Sequence, residues 1–262
     1  MASAMISGLL NTNYSPGLIR VIESDSNKRL DIKTKFNISS EAEFKKINED
    51  EIIVLAVKPQ QTKSLLKSIS YQVSKQIILS IAAGIQIKTI EKWTNGYKNI
   101  VRSMPNMCAQ IQLGITALFT QEILDKKSKM VIEKIAGAIG EFIWLNDESK
   151  LDAVTAISGS GPAYVFYFLN VFIEAAIKLG LSRNEAENLC SKTMLGASHL
   201  AKDQLSNLQN LITLVASKGG TTEEGLKQLE SNKFGEALLK ATRAAYERSK
   251  KLGSEFNYLN EK

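Results

Sequence analysis

Three short stretches of small residues, each at the end of an apolar run, could line a cleft for a flat nucleotide. They are Ala56–Pro59, Ser80–Gly84 and Met104–Asn106. Small residues at the end of a strand let a ligand approach the backbone closely, and an open parallel sheet binds its ligands beyond the carboxyl ends of its strands. Each stretch alone is explained equally well by a loop that needs small residues or proline. The three together favour a nucleotide cleft.

Two later stretches combine glycines and hydroxyls ahead of a helical pattern. SKGGTT, residues 217–222, offers free N–H groups and hydroxyls that suit a carboxylate or a phosphate. A capped helix behind a tight glycine turn would have the same sequence, so both interpretations stay open. SGSGPAY, residues 158–164, is not a nucleophile elbow, because its serines and glycines do not match the G-x-S-x-G spacing.

The residue composition disfavours several classes of enzyme. The 262-residue chain has one histidine, His199, and two distant cysteines, Cys108 and Cys190. Histidine-dependent triads and metal sites are therefore not expected. The net charge of +6 comes from lysines spread along the chain, whereas nucleic-acid-binding proteins concentrate them in patches. We expect no metal and no nucleic-acid partner; the charge suits small anionic ligands equally well.

Neither of the most apolar stretches predicts a membrane segment. The N-terminal MASAMISGLL has no basic n-region and no cleavage site of the A-x-A kind. The apolar helical stretch at residues 163–180 contains Asn170, Glu174 and Lys178, which a lipid-facing span would avoid. The sequence thus predicts a cytoplasmic protein without a membrane partner, in which this stretch is a buried or interface helix.

Two different patterns of elements divide the chain. Up to about residue 146, apolar runs alternate with helical patterns, which is typical of a mostly parallel sheet with helices on both faces. The predicted strands cover residues 18–24, 51–59, 76–84, 99–106, 114–121 and 141–145, and predicted helices cover 60–75, 87–96 and 125–140. From Leu151 onward the patterns are helical. We predict an α/β domain over residues 1–148 and an all-helical domain over 149–262.

Capping signals support the helical assignment of the second half. Pro162 opens and Gly180 closes its first helical pattern. Ser182 begins a capping stretch, and Thr221 with Glu224 fits the reciprocal capping box. We therefore expect helices to begin close to these positions.

Taken together, these motifs resemble the pyrroline-5-carboxylate reductase family. LAVKPQ, SIAAGI, VRSMPN, DAVTAISGSGPAYVF and GGTTEEGLKQLE occur in the order and spacing of that family and span almost the whole chain. The resemblance implies a Rossmann-like dinucleotide-binding domain followed by an all-helical domain that intertwines with a second subunit, giving a dimer or a higher homo-oligomer. It implies reduction of 1-pyrroline-5-carboxylate to L-proline by hydride transfer from NADPH, with NADH as the alternative.

The resemblance also implies roles for individual residues. Cofactor-binding roles fall on Met1, Ala2, Ser24, Ala56, Val57, Lys58, Pro59, Ala82, Ala83, Gly84 and Asn106. Substrate-binding roles fall on Glu148, Ser217, Gly220, Thr221 and Thr222. Thr222 is the candidate catalytic residue, because it would hydrogen-bond the ring nitrogen.

The chain departs from the family at its start. Family members open with a short strand and a glycine-rich G-x-G-x-x-A turn, of which Met1 and Ala2 match only the last two positions. In the dinucleotide-binding topology that strand lies at the centre of the sheet. We therefore hypothesise that Met1 is an internal methionine and that the domain lacks its first strand and turn. The alternative is a catalytically impaired, truncated paralogue that retains only the oligomerising helical domain.

Residues 1–10 are expected to form the first helix of the nucleotide-binding unit. Ala4 and Gly8 would keep one face thin for the sheet, and Met5 and Leu9 would pack.

The segment after the strand at 18–24 leaves the cofactor preference open. Glu23 would favour the ribose 2′-hydroxyl of NADH. The 2′-phosphate of NADPH would instead suit the residues Ser24, Ser26, Lys28 and Arg29.

Two lysines bear on the substrate. Lys218 stands where the family usually has proline, and we expect it to point to solvent. A related dehydrogenase acting on hydroxy acids would need a catalytic lysine in the first helix of the helical domain, and Lys178 lies too close to the end of that helix. That reaction is therefore disfavoured.

Overall fold

The strands of the computed structural model, which describes residues 1–258, lie largely where the sequence has continuous apolar runs. They are Arg20–Ile22 (β1), Ser39–Glu41 (β2), Ile52–Leu55 (β3), Ile77–Ser80 (β4), Ile100–Met104 (β5), Gly114–Thr120 (β6) and Gly140–Trp144 (β7). The α-helices are Ala2–Asn11 (α1), Ser26–Phe36 (α2), Pro59–Ile69 (α3), Ile87–Trp93 (α4), Lys126–Gly137 (α5), Lys150–Val154 (α6), Gly161–Lys178 (α7), Arg183–Lys202 (α8), Leu208–Val215 (α9), Thr221–Ser231 (α10) and Phe234–Tyr258 (α11). The sequence patterns do not predict α2 or β2, because α2 buries none of its residues and β2 is three residues long.

The main sheet has the strand order β3-β4-β5-β6-β7. Strands β3, β4 and β5 run parallel, β6 is antiparallel to β5, and β7 is parallel to β6. The mostly parallel sheet is thus confirmed, with one antiparallel step. That step occurs because residues 105–113 contain only a short 3₁₀ turn, and a parallel connection needs a longer crossover.

Strands β1 and β2 form a separate parallel pair. In the dinucleotide-binding strand order 3-2-1-4-5, one strand separates the equivalents of β1 and β3. Within residues 1–258, no strand joins the β1–β2 pair to the main sheet, and the first described element is α1.

The main sheet is covered on both faces, as its uninterrupted apolar strands predict. Ile77 and Leu79 of β4 pack in a cluster with side chains of α1 and α5. Ile78, which points to the other face, packs in a second cluster with α3 and α4. The packing on both faces supports the strands β3, β4 and β5, whose carboxyl ends carry the predicted small residues.

Helix α1 has the predicted packing face. Ala4, Met5 and Leu9 are buried in the first cluster. A Cβ at Gly8 would lie 2.1 Å from the carbonyl oxygen of Ala138, so only glycine permits this approach. The close neighbour is therefore the backbone between α5 and β7, rather than a strand.

Contacts divide the chain into two units that differ from the predicted domain boundary at 148/149. The first unit comprises Met1–Ser160 and the described residues from Ala245 onward, and the second comprises Gly161–Ala244. Residue 148 follows the last strand, but α6 still belongs to the first unit. The end of α11 also returns to that unit, where the Ser249 hydroxyl donates to Asp152 at 2.7 Å.

The second unit is all-helical, as predicted. Helices α7 and α8 pack through a small cluster formed by Ala176, Ala186 and Cys190. Ser182 and Glu185 form a capping box at the start of α8, in agreement with the prediction. Within the described residues, one helical stretch, 150–178, is long and apolar enough by length and composition to cross a membrane.

Candidate active site

The three predicted strand ends lie at one edge of the main sheet. Leu55 of β3 is paired with Ser80 of β4, and Ser80 is paired with Arg102 of β5. Because these strands are parallel neighbours, the segments that follow them emerge on the same side. The structure thus brings together Ala56–Pro59, Ile81–Gly84 and Met104–Asn106.

The segment after β3 leads directly into a helix N-terminus. Ala56 and Lys58 are exposed, and Lys58 is the N-cap of α3. Pro59 occupies the first turn, where its missing N–H costs nothing. Since the Lys58 side chain makes no cap bond, the first amides of α3 and the lysine charge are both suited to an anion.

The turn after β4 is set by the backbone conformation of Gly84. Its φ of +77° favours glycine. An added Cβ would also lie 3.2 Å from Cβ of Leu252 on α11. Ala82 is buried and Ala83 is half-buried, so of these two residues Ala83 is the more accessible to a ligand.

Glu148 joins this turn to β5. Its Oε1 accepts hydrogen bonds from the backbone N–H of Ile87 at 2.8 Å and from Nη1 of Arg102 at 2.7 Å. Sequence reasoning missed Arg102. An arginine within the apolar strand IVRSM was the available signal, because a buried guanidinium needs a carboxylate partner.

Asn106 is held by the SGSG stretch. Its Nδ2 donates to the Ser158 hydroxyl at 3.1 Å, and its Oδ1 accepts from the N–H of Cys108 at 3.2 Å. Ser158 lies in a π-helical turn, Thr155–Gly159. A Cβ at Gly159 would lie 2.5 Å from Cε of Met104, so the glycine lets this turn pack closely on the end of β5.

The first turn of α1 has no side-chain cap. Its N-cap, Met1, makes no side-chain cap bond, and the first turn contains no acidic residue. Met1 and Ala2 are both exposed. Free amides and the positive end of the helix dipole make this a position that a phosphate can occupy.

In the segment after β1, charged side chains form hydrogen bonds with backbone groups of the same segment. The Glu23 carboxylate accepts from the N–H of Asp25 at 3.0 Å. Nη1 of Arg29 donates to the carbonyls of Glu23 and Ser24, each at 2.7 Å. Asp25 caps α2, and hydrogen bonds from the amides of Lys28 and Asn27 lower the pKa of its carboxyl.

The GGTT turn of the second unit has a different cap from the predicted one. The box between Thr221 and Glu224 is wrong, because α10 begins one residue earlier, with Gly220 as its N-cap. The Glu223 carboxylate instead accepts from the N–H of Gly219, and this hydrogen bond lowers the pKa of Glu223. The turn therefore already binds one carboxylate, that of Glu223.

The remaining predicted substrate residues lie around the same turn. The N–H of Gly220 donates to the Ser217 carbonyl at 2.9 Å. Ser217 and Thr221 are exposed and Thr222 is half-buried in the first turn of α10. Lys218 is exposed, in agreement with the expectation that it points to solvent.

Comparison with known families covers both domains. Residues 148–252 match the family model described as pyrroline-5-carboxylate reductase dimerisation. Residues 1–84 match the model described as NADP oxidoreductase, coenzyme F420-dependent.

Individual relatives extend the match to almost the full chain. The pyrroline-5-carboxylate reductase of Pseudomonas aeruginosa is 34% identical over 97% of this chain and 94% of its own. The pyrroline-5-carboxylate reductase of Haemophilus influenzae is 33% identical over 98% of this chain and 95% of its own. A solved pyrroline-5-carboxylate reductase from Coxiella burnetii has a TM-score of 0.85 and 35% sequence identity to this chain. A solved Plasmodium falciparum pyrroline carboxylate reductase with NADP bound has a TM-score of 0.83 and 30% identity. Each covers 96% of this chain and 94% of the solved chain.

Fold and site together define a two-domain oxidoreductase, with a Rossmann-like NADP-binding domain followed by a helical dimerisation domain. The chain belongs to the pyrroline-5-carboxylate reductase family.

Proposed function

We propose that this protein reduces 1-pyrroline-5-carboxylate to L-proline with NADPH as the hydride donor. The observation that carries this proposal is the identity of 30% or more to pyrroline-5-carboxylate reductases along nearly the entire chain. The match of residues 1–84 to an oxidoreductase family argues against a paralogue that retains only its helical domain.

The carboxyl edge of the main sheet suits NADP(H). Lys58 at the start of α3 and the uncapped first turn of α1 at Met1 and Ala2 suit its phosphates. Ala56, Val57, Pro59, Ala82, Ala83, Gly84 and Asn106 would line the rest of the cleft. The nicotinamide, when bound, supplies the hydride.

NADPH is the proposed cofactor in preference to NADH. The Glu23 carboxylate, which would otherwise bind a ribose 2′-hydroxyl, accepts from the N–H of Asp25. Arg29 and Ser24 lie beside it after β1. The guanidinium of Arg29 and the hydroxyl of Ser24 would bind a 2′-phosphate there. The NADP seen in the Plasmodium falciparum relative supports the same choice.

The GGTT turn is the proposed site for the substrate carboxylate. Its Gly219 N–H already donates a hydrogen bond to the Glu223 carboxylate, which supports a carboxylate-binding role for the turn. Ser217, Gly220 and Thr221 would bind the substrate carboxylate, and the Thr222 hydroxyl would hydrogen-bond the ring nitrogen. Because the C=N bond is already electrophilic, orientation rather than acid–base chemistry would supply most of the acceleration, roughly 7–11 kcal/mol at best.

Self-association is part of the proposal. Helix α7 exposes a run of large apolar side chains, comprising Val165, Phe166, Tyr167, Phe168, Val171 and Phe172. This helix lies within the stretch that matches the dimerisation family. We therefore assign the apolar stretch 163–180 to an interface between copies of a cytoplasmic homo-oligomer, with neither membrane nor nucleic acid as partner.

A coupled assay tests the proposal. The purified chain, shown to be folded by circular dichroism, is incubated with NADPH and pyrroline-5-carboxylate, and both NADPH loss and proline formation are followed. We expect equimolar NADPH consumption and proline production. A folded protein that binds NADPH but forms no proline would refute the reaction.

A further inference from the structure

Glu148 connects three separate segments of the first unit through one oxygen atom. Its Oε1 accepts from the first amide of α4, at Ile87, and from the guanidinium of Arg102 on β5. Ile87 lies 61 residues and Arg102 lies 46 residues away along the chain. The carboxylate thus ties the segment after β7 to the start of α4 and to the interior of the sheet.

This connection is shielded from solvent. The side chains of Arg102 and Glu148 are 9% and 19% exposed. A charge pair in such surroundings keeps a defined geometry, because each partner would be left uncompensated if the other moved away. The position of the Ile87 amide is therefore coupled to strand β5 through Glu148.

The segment held in this way is the turn proposed to line the cofactor. Ala82, Ala83 and Gly84 lie between the end of β4 and Ile87, so the turn has two fixed ends. Its outer side is restrained as well, since a Cβ at Gly253 of α11 would lie 3.1 Å from the Gly84 carbonyl oxygen. Releasing the Ile87 end would leave the turn attached at β4 and at α11 only.

We propose that Glu148 is a positioning residue for the cofactor: with Arg102 it fixes the Ala82–Gly84 turn in the shape that receives NADPH. This role rests on the proposed function, and it differs from the substrate contact that the family resemblance implied. Glu148 acts through the Ile87 amide and need not touch the substrate.

Three variants separate positioning from simple stability. Glu148→Gln keeps an oxygen that can accept from Ile87, and we expect the KM for NADPH to rise about threefold. Glu148→Met alone leaves a buried, unpaired Arg102 and should also destabilise the fold. The double variant Glu148→Met with Arg102→Met removes both charges; it should regain stability but keep a KM for NADPH about tenfold above that of the wild type. The KM for pyrroline-5-carboxylate should change less than about twofold in each.

Glu51 offers a matched control. Its carboxylate also accepts from an arginine, Arg20 at 2.8 Å, and from a backbone amide, Asn48 at 2.9 Å. It precedes β3, at the amino end of the strand, away from the proposed cleft. Glu51→Gln should therefore leave the KM for NADPH unchanged.

Hydrogen–deuterium exchange of the free protein supplies a readout independent of activity. The peptide containing Ile87 should exchange faster in the double variant and remain as in the wild type in Glu51→Gln. An unchanged KM for NADPH in the double variant, unchanged exchange at Ile87, or an equal rise in KM for Glu51→Gln would each overturn the positioning role. A wild type without NADPH turnover would instead refute the proposed function, and the exchange comparison would still decide whether Glu148 holds the turn.

Discussion

The side-chain amide of Asn106 donates a hydrogen bond to the hydroxyl of Ser158, 52 residues later in the chain, at 3.1 Å. This bond attaches the π-helical turn at 155–159 to the segment that follows β5, at the proposed nucleotide edge.

Removing this hydroxyl should weaken NADPH binding. In Ser158→Ala, Asn106 loses one of its two anchors, so we expect the Kd for NADPH to rise about three- to tenfold. Fluorescence titration with NADPH measures the change. Ser231→Ala, whose hydroxyl bonds the Gln228 carbonyl on α10, is the control. Equal affinities in wild type and Ser158→Ala would contradict the role of this bond.

Gly84→Ala should destabilise the first unit more than Gly96→Ala. Both glycines have a left-handed φ, +77° and +88°, but only Gly84 has a neighbour, Leu252, within contact distance of an added Cβ. A left-handed alanine costs about 1–2 kcal/mol, and the contact should add about 1 kcal/mol more at Gly84. Urea denaturation of both variants measures the free energy of unfolding. Equal losses would rule out a steric contribution from α11.

Thr222→Val should lower kcat/KM for pyrroline-5-carboxylate about 100-fold while the KM for NADPH stays constant. The substitution keeps the shape of the side chain and removes the hydroxyl proposed to bond the ring nitrogen. Thr222→Ser should restore much of the activity, because it returns the hydroxyl. Steady-state kinetics with each substrate varied in turn distinguish these cases. A Val variant as active as the wild type would exclude Thr222 from the reaction.

Glu223→Gln should change how the stability of the second unit depends on pH. The hydrogen bond from the Gly219 N–H is the larger cause, and Lys227 the smaller, that holds the pKa of Glu223 below its ordinary value. The ionised carboxylate therefore stabilises the folded state at pH values above the pKa of the unfolded chain, and this contribution is lost as the pH falls through the lower folded pKa. The variant should show a flatter acid limb in urea denaturation at a series of pH values. Glu224→Gln, which also faces Lys227 but not the turn, is the control; an identical acid limb in wild type and Glu223→Gln would disprove the effect.

Phe166→Glu should shift the protein toward the monomer. Phe166 is 56% exposed on α7, and a charge there would have to be desolvated in an interface. Light scattering coupled to size exclusion measures the mass. Leu30→Glu, at a similarly exposed apolar position on α2 of the first unit, should leave the mass unchanged. Retention of the wild-type mass by Phe166→Glu would place the interface elsewhere.

Much of the fold was predictable because its signals are local. The apolar run around Ile77, Ile78 and Leu79 is long enough for a buried strand and too short for a helix, and it becomes β4. The capping stretch at Ser182 was predictable because its signal is local, and in the structure Ser182 forms a reciprocal box with Glu185, three residues later. By contrast, α2 buries no residue and leaves no periodic apolar signal.

For the candidate site, the sequence predicted which segments lie at one edge of the sheet but not the hydrogen bonds that connect them. Small residues at the ends of β3, β4 and β5 indicated a nucleotide cleft, since parallel neighbours must end at one edge. The family resemblance implied that Glu148 binds substrate. In the structure, one carboxylate oxygen of Glu148 accepts hydrogen bonds from Arg102 and from the N–H of Ile87. A strand arginine carries no information about which of 27 acidic residues will reach it.

The sequence by itself determined the class of most elements, though not of α2 or β2, as well as the order of an α/β and a helical domain, and the family. These follow from residue periodicity and from motifs in a defined order, which need no knowledge of distant contacts. Only the tertiary structure decided that Glu148 anchors α4, that Gly84 faces α11, and that the end of α11 packs with the first unit. Such pairings join residues tens to more than a hundred positions apart, and packing of the whole sheet decides which of many compatible partners meet.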